Sequence, residues 1–462
     1  MKTVHEQISP SRELLRLATP SVISMTSFTL MQFVDKWMVS KIGPDPIYVG
    51  SQGSGRLAAW IPISFIFGTL SIINTFVSQN LGAGTPRNGP KYAWNALWLA
   101  IIAWLLLIPY GLCLPALFRA MGYEPLRVEL ACQYGQTLIF GSVITMSTRA
   151  FAQFFYGLHR PAVVTVGVIS GNIVHLAINY VLIYGNFGAP AMGVRGAAIS
   201  TLIGTCVEVL VPICLFLGPK LNTSLGSRSQ WRPSWATMKE ILRVGWPAGA
   251  MFGSEMVCWG FFMLYLVGGF SKEANTAGFI AQQWMALSFM PAVGISNALA
   301  SIVGKYIGMK RPDLAAQRAA LGIRTAMIYM GTCAVLFLLF RHPMVDVFIP
   351  SNTLPSERDT LLKLGGQFLV ACAAFQIFDA VAMTISGALR GAGDTHFIGV
   401  ATVVASWTVM VGGGWAMTAA FPQWGPVAAW VAAAAYIVVL SVLCAWRYRS
   451  GQWKSMTVLK EP

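Results

Sequence analysis

Charge is what this sequence has least of. Lys and Arg number 32 and Asp and Glu 17 among 462 residues, 11% of the chain, where a soluble globular protein carries about 25%. The deficit excludes an ordinary soluble enzyme. Groupings that bind metals or form disulfides are lacking as well. The eight cysteines (Cys113, Cys132, Cys206, Cys214, Cys258, Cys333, Cys372 and Cys444) are dispersed through apolar segments without a Cys-x-x-Cys pair, so they read as small apolar filler. The five histidines (His5, His159, His175, His342 and His396) are equally scattered, and HExxH, GxSxG and paired acids at fixed spacing are absent. A membrane-embedded enzyme is therefore the weaker alternative. The N-terminal stretch carries Glu6 and Glu13 and runs into an apolar segment too long for a signal-peptide core, without a small-residue cleavage site, so it is expected to be retained.

What the chain has instead is length and apolarity. Hydrophobic residues make up 55%, and twelve bilayer-spanning helices of about 20 residues would consume about 240. Runs long enough to cross lie near residues 14–39, 57–79, 92–118, 131–156, 161–184 and 193–217, and again near 241–269, 277–304, 318–340, 364–388, 396–420 and 425–446. They are too long and uniformly apolar for barrel strands, and a segment isolated in lipid must satisfy its own backbone, so helices are expected. The formal charge of +15 does not point to nucleic acid, because the basic residues sit between apolar runs and not on one soluble face. It points to topology. With both termini inside, the inner segments hold 22 Lys and Arg and the outer loops 10, a positive-inside bias. The linker after the sixth run and the loop around Lys305, Lys310, Arg311 and Arg318 carry most of it. The expectation is a multi-pass monomer of the plasma (inner) membrane, with both termini cytoplasmic, in contact with lipid and not with nucleic acid.

The two halves resemble each other. Leu14-Leu15-Arg16-Leu17-Ala18-Thr19-Pro20 matches Ile241-Leu242-Arg243-Val244-Gly245-Trp246-Pro247 at an offset of 227. At an offset of 226, Gly68 matches Gly294 and Leu81-Gly82 matches Ile307-Gly308. A near-constant offset close to half the chain indicates duplication of a six-helix unit. Six is even, so both copies enter the membrane from one side, and the repeats are parallel about an axis along the membrane normal. The expected fold is an all-α polytopic membrane protein of twelve transmembrane helices in two pseudo-symmetric six-helix lobes. Residues 1–217 form the N-terminal lobe, 218–240 a cytoplasmic linker, and 241–462 the C-terminal lobe with a cytoplasmic tail.

An acidic residue at a helix centre costs about 2.5 to 3.5 kcal/mol on insertion scales, which makes each one a functional candidate. Four acids lie within the apolar runs: Asp35, Glu208, Glu255 and Asp379. Asp35 shares a face with Ser21, Ser24 and Gln32, and Asn172, His175 and Asn179 share a narrow arc of the fifth run. These groups could ligate a cation or relay a proton, with the unperturbed pKa of about 6.5 giving His175 its interest. The plainer readings are a local Asp35–Lys36 pair and interhelical hydrogen bonds, the latter the better account of Asn172. Glu255 shares its face with Met251, Cys258, Trp259 and Phe262, and Asp379 with Phe368, Cys372, Phe375 and Met383. Carboxylates among rings and thioethers suit a lipophilic cation, although each aromatic alone is more simply explained by packing. Glu208, among valines and Leu210, has no assignable role.

These residues resemble the multidrug and toxic compound extrusion (MATE) transporters. The blocks that carry the likeness are Leu14 to Pro20, Phe33-Val34-Asp35, Val77-Ser78-Gln79-Asn80-Leu81-Gly82-Ala83-Gly84 and Gly387-Ala388-Leu389-Arg390-Gly391-Ala392-Gly393-Asp394-Thr395. Glu255 and Phe378-Asp379-Ala380-Val381 look like the bacterial norfloxacin-exporting branch. The resemblance implies a V-shaped pair of lobes exporting lipophilic or aromatic organic cations against H⁺ or Na⁺ influx, without a further cofactor. It implies substrate or cation binding at Glu255 and Asp379, to which the shared helix faces add Met251, Trp259 and Phe375, and ion coupling at Asp35 and Asn179, with His175 beside them, Na⁺ at Glu255, Asp379 or Asp35 being the alternative to a proton. Two departures lean toward protons. Phe375 stands where the branch often has a tyrosine ligand, leaving a hard cation one oxygen short, and His175 stands where an asparagine is usual. A lipid-linked oligosaccharide flippase is the alternative from the same superfamily. It would need arginines for a phosphorylated headgroup, and Arg149 is the one clear mid-chain candidate.

Overall fold

The computed structural model describes residues 9–43, 47–349 and 353–459. Among the described residues it is all-helical, with eleven helices long and apolar enough to cross a membrane and a twelfth span if one bent pair is counted as one. In chain order they are α1 (Pro10–Val39), α2 (Ile47–Gly82), α3 (Pro86–Ala120), α4 (Pro125–Phe140 and Ser142–Gly157), α5 (Pro161–Tyr184) and α6 (Gly193–Phe216). The second half repeats the count with α7 (Trp235–Val267), α8 (Lys272–Gly308), α9 (Pro312–Asp346), α10 (Pro355–Ala392), α11 (Thr395–Ala420) and α12 (Val427–Arg449).

Each of the twelve expected runs falls on one of these spans, and most helices extend past it. Polar and capping residues account for the extra turns. Ser9 accepts a bond from the Arg12 amide, and Ser234 and Ser271 do the same for Thr237 and Ala274, so α1, α7 and α8 start on side-chain caps. Helix α2 begins well before its expected start at 57, which brings Gln52 and Arg56 into the helix. The 47° bend in α4 falls at Gly141. The linker is less open than its polarity suggests. It holds a short helix, Pro219–Leu225, and Trp94 and Trp98 of α3 donate their indole N–H groups to the carbonyls of Ser227 and Trp231.

The sequence repeat has a direct structural counterpart. A Cβ on Gly82 would run into the Lys305 carbonyl, and one on Gly308 into the Gln79 carbonyl. Gln79 and Lys305 are themselves 226 residues apart, as are Gly82 and Gly308. Likewise Gly68 meets Ala248, while Gly294 meets Val22, and Val22 and Ala248 are again 226 apart. Contacts α2·α7 and α1·α8 are therefore related by exchange of halves, and the α2·α8 crossing lies on the exchange axis. Glycine is required at these positions because two backbones touch there.

Polar bonds join the halves near the face that carries both chain ends. The Thr75 hydroxyl donates to the Arg390 carbonyl, and Gln79 Nε2 donates to those of Gly391 and Ala392. The C-terminal tail closes over them: the Thr457 hydroxyl and Val458 amide donate to Gln79 Oε1 at 3.0 and 2.9 Å.

Candidate functional site

In the first half, α1, α2, α5 and α6 bring polar groups together around one carboxylate. Asp35 is 2% exposed. Its Oδ2 accepts from Gln52 Nε2 at 2.6 Å, and its Oδ1 accepts from Asn179 Nδ2 at 2.8 Å. His175 Nε2 lies 3.5 Å from the same Oδ1 and shares a 3.2 Å hydrogen bond with the Thr201 hydroxyl. The helical period explains the set, because His175 and Asn179 are one turn apart on α5 and face Asp35 together. The amide oxygens of Gln52 and Asn179 are buried without a partner among the described residues. As placed, both amides turn N–H groups to the carboxylate, the arrangement of an anion held by donors and not of an oxygen cage around a hard cation. His175 offers instead a group that carries a proton.

The imidazole nearest Asp35 is thus that of His175, across the α1–α5 contact, and no Asp35–Lys36 bridge occurs among the described residues. Asn172 stands apart from the cluster and donates to the Ser27 hydroxyl at 2.8 Å, an interhelical bond. Ser21 and Ser24 also lie apart from it: Ser24 bonds Thr165 at 3.0 Å.

In the second half, Glu255 of α7 and Asp379 of α10 are half-buried, and each lies within range of the other's charge. Glu255 Oε1 accepts from the Tyr436 hydroxyl of α12 at 2.8 Å. Asp379 has no hydrogen-bond partner among the described residues. The aromatic and thioether residues around them divide into two groups. Trp259 is partly exposed and meets Phe262 edge-on at 5.4 Å. Phe375 is 0% exposed, packed with Phe368 and Cys372, and Met251 is 7% exposed. Phe375 and Met251 therefore support the wall behind the acids and present little surface to a ligand in this arrangement.

Three members of these clusters escape the sequence reading. Gln52 falls before the apolar run that marks the second span, Thr201 is a common helix residue, and Tyr436 is one of three rings in an alanine- and valine-rich run. Tyr436 brings to Glu255 from α12 the phenol oxygen that Phe375 lacks on α10. Glu208 lies against Gly171 of α5, and its carboxylate has no hydrogen-bond partner among the described residues.

The chain resembles known proteins over nearly its whole length. It is 31% identical to the multidrug resistance protein PmpM of Pseudomonas aeruginosa, covering 86% of this chain and 82% of that one. It is 27% identical to a probable multidrug resistance protein NorM of Thermotoga maritima, covering 83% and 80%. A solved structure described as the outward-facing conformation of a multidrug resistance MATE family transporter superposes with a TM-score of 0.83 at 20% identity, over 99% of each chain. The MatE family profile matches twice, at residues 20–181 and 251–415, one match in each half and together spanning Asp35, His175, Asn179, Glu255 and Asp379. By that double match the chain belongs to the MatE family, whose members are transporters and not enzymes.

Proposed function

We propose that this protein exports lipophilic or aromatic organic cations in exchange for inward movement of H⁺ or Na⁺. Its relatives carry the description of multidrug resistance proteins. The observation that carries the reading is the pair Glu255 and Asp379: two neighbouring carboxylates within the membrane, served by one hydrogen-bond donor, Tyr436, among the described residues. Such charge is costly unless a cation or proton neutralises it. Trp259, one helical turn from Glu255 on α7 and partly exposed, supplies a ring face for a delocalised cation. Occupancy by a drug and occupancy by protons then exclude each other, which is the elementary requirement of antiport.

The Asp35 cluster serves as the coupling site in this reading. A coupling ion must bind the two carrier states differently. Protonation of Asp35 would weaken the bond it accepts from Asn179 and its contact with His175, whereas protonation of His175 would tighten the Asp35–His175 contact, and either change would bias the packing of α1 against α5. We favour H⁺ because the imidazole replaces an oxygen ligand there. Residues 1–217 and 241–462 act as the two rocking lobes, joined by 218–240, in the plasma (inner) membrane with both termini cytoplasmic.

The test uses inverted membrane vesicles with a fluorescent cationic dye and imposed pH and Na⁺ gradients, crossed. Dye accumulation driven by the pH gradient alone, and lost in Asp379→Asn, is the expected result. Accumulation unaffected by either gradient would overturn the antiport reading.

A further inference from the structure

A long apolar groove runs between α11 and α12 on the flank of the second half and holds a cavity of about 640 Å³. Three helical rows line it, each with a spacing of four residues. One row of α11 is His396, Val400, Val404 and Thr408, and its neighbour on the same helix starts at Phe397 and passes Ala401 and Ala405. The third row is Val439, Leu443 and Arg447 of α12. The short side chains of Ala401 and Ala405 leave the space between the rows. Val400, Val404 and Val439 are exposed, so the groove opens sideways, on the surface that meets hydrocarbon.

The two ends of the groove differ. At the chain-end face lie the exposed His396 and the pair Arg447 and Asp394, bridged at 2.7 Å. From His396 to Thr408 the groove follows α11 for about 18 Å at a rise of about 1.5 Å per residue, close to the roughly 15 Å of hydrocarbon in one leaflet. Its deep end falls where α11 winds as a π-helix over Ser406–Gly412. The Thr408 hydroxyl there donates to the Val404 carbonyl of its own helix, so the deep part offers water little to bond. The C-terminal tail closes the charged end, where Met456 joins the lining. Just before it, Trp453 is 0% exposed, stacks on Tyr448 of α12 at 5.1 Å and donates its indole N–H to the Tyr448 carbonyl at 2.9 Å. Directly after it, Thr457 and Val458 make the two bonds to Gln79 that tie the tail to the first half.

We infer that this groove holds one acyl chain of a phospholipid from the leaflet at the chain-end face, and that the chain supports Met456 and so steadies the tail on Gln79. Lipid chains are what borders a hollow open to the side of a bilayer, and a chain seated there gains dispersion contacts along the whole lining. A phospholipid matches the gradient of the groove, apolar at depth and charged at the mouth. Arg447 is already matched by Asp394, so the chain and not an anionic headgroup decides binding. An organic cation gains less, because Asp394, the one acid of the lining, is bridged and 4% exposed. Lipid against Met456 bears on both halves, since the next two residues of the tail bridge them.

The experiment reads the lipid and the tail separately. Full-length protein is reconstituted with phosphatidylcholine that bears a diazirine on one acyl chain, extracted into detergent, washed free of loosely held lipid, illuminated and mapped by peptide mass spectrometry. Adducts should gather on the peptides that carry Ala401, Ala405 and Leu443, several-fold above those at the exposed Leu105 and Leu106 of α3. Ala401→Trp fills the groove and should abolish these adducts while leaving those on α3, which then report that the variant is folded. For the tail, Leu459→Cys in a background without the native cysteines is treated with a soluble maleimide. Stripping the lipid should speed that reaction roughly tenfold, the scale of one lost hydrogen bond, and resupplied phosphatidylcholine should slow it again. Adducts no denser in the groove than on α3, adducts that survive Ala401→Trp, or a tail rate indifferent to lipid overturn the inference. Displacement of the groove adducts by a fluorescent cationic dye would assign the groove to cargo and overturn it as well.

Discussion

Arg318 of α9 holds Glu13 of α1 through a 3.0 Å bond from Nε to Oε2, across the junction of the two halves. The Tyr306 hydroxyl donates to the same oxygen at 2.8 Å, and Lys305 Nζ lies 3.5 Å from Oε1. All of the charged side chains involved are at most 10% exposed. Close by, His159 Nε2 meets the Ser301 carbonyl at 3.1 Å. The chain-end face is therefore closed by ionic and polar contacts between halves, and the proposed alternation would have to break them.

Glu13→Gln should favour the state open at that face. Removing one partner of a buried pair leaves Lys305 and Arg318 uncompensated, at a cost of about 3 to 5 kcal/mol to the closed form. Even about 3 kcal/mol is a shift of more than roughly a hundredfold in the ratio of states. Distances between spin labels placed on α3 and α9 at that face should lengthen in the variant. An unchanged distance distribution would show that the apolar packing of α2 against α8 holds the face closed without Glu13.

The coupling role proposed for Asp35 separates binding from transport. Asp35→Asn should retain dye binding at Glu255 and Asp379 but lose gradient-driven accumulation, because the ion would no longer distinguish the two carrier states. His175→Asn keeps a polar group of similar reach and should stay active, with an altered response to the imposed pH gradient because the imidazole is gone. Normal coupling in Asp35→Asn would place ion and drug on the same two acids of the second half.

Much of this was visible in the sequence, for reasons that differ from residue to residue. The spans follow from uninterrupted apolar runs, and the duplication from Gly82 and Gly308, which have to be glycine where α2 and α8 touch. Asp35, Glu255 and Asp379 stand out because charge is expensive in lipid. Gln52 and Tyr436 do not, since an amide at a helix start and a ring in an apolar run are ordinary, and only the packing of α2 and α12 brings them to the acids. Phe375 misleads in the opposite direction. Its spacing from Asp379 places it on the same side of α10, yet one turn is enough to carry a ring from the acid's surroundings into the core.

Tyr436→Phe should tighten cation binding and slow turnover. The phenol stabilises the empty, ionised Glu255, so its removal raises the free energy of the unoccupied site by about 1.5 to 3 kcal/mol, the scale for a hydrogen bond to a charged group. Dye dissociation should slow by a factor of roughly ten or more. Weaker binding would show that the phenol oxygen contacts the cargo itself.

The expected topology can be read by thiol labelling in a background without the eight native cysteines. Ser227 is a poor reporter, because it is 0% exposed and donates to the Phe216 carbonyl, and Asn352 lies outside the described residues. Ser229 in the linker and Gln423 between α11 and α12 are both exposed. An impermeant reagent on intact cells should label Gln423→Cys and spare Ser229→Cys, and the reverse pattern would invert the orientation drawn from the charge bias.

The exchange symmetry of the halves makes one further prediction. Gly82→Ala and Gly308→Ala insert equivalent methyl groups against equivalent carbonyls, those of Lys305 and Gln79. Overpacking at a tight contact costs about 1 to 3 kcal/mol, and here the penalty falls on the α2·α8 crossing, so each variant should separate the halves at the chain-end face. Because the two sites are related by the same axis, the two variants should lower thermal stability by similar amounts. They lie at one crossing and share its strain, so the double variant should lose less than the sum. Melting temperatures in detergent would measure this. A large loss in one variant beside none in the other would mean that the two copies of the repeat have diverged in how tightly their backbones pack.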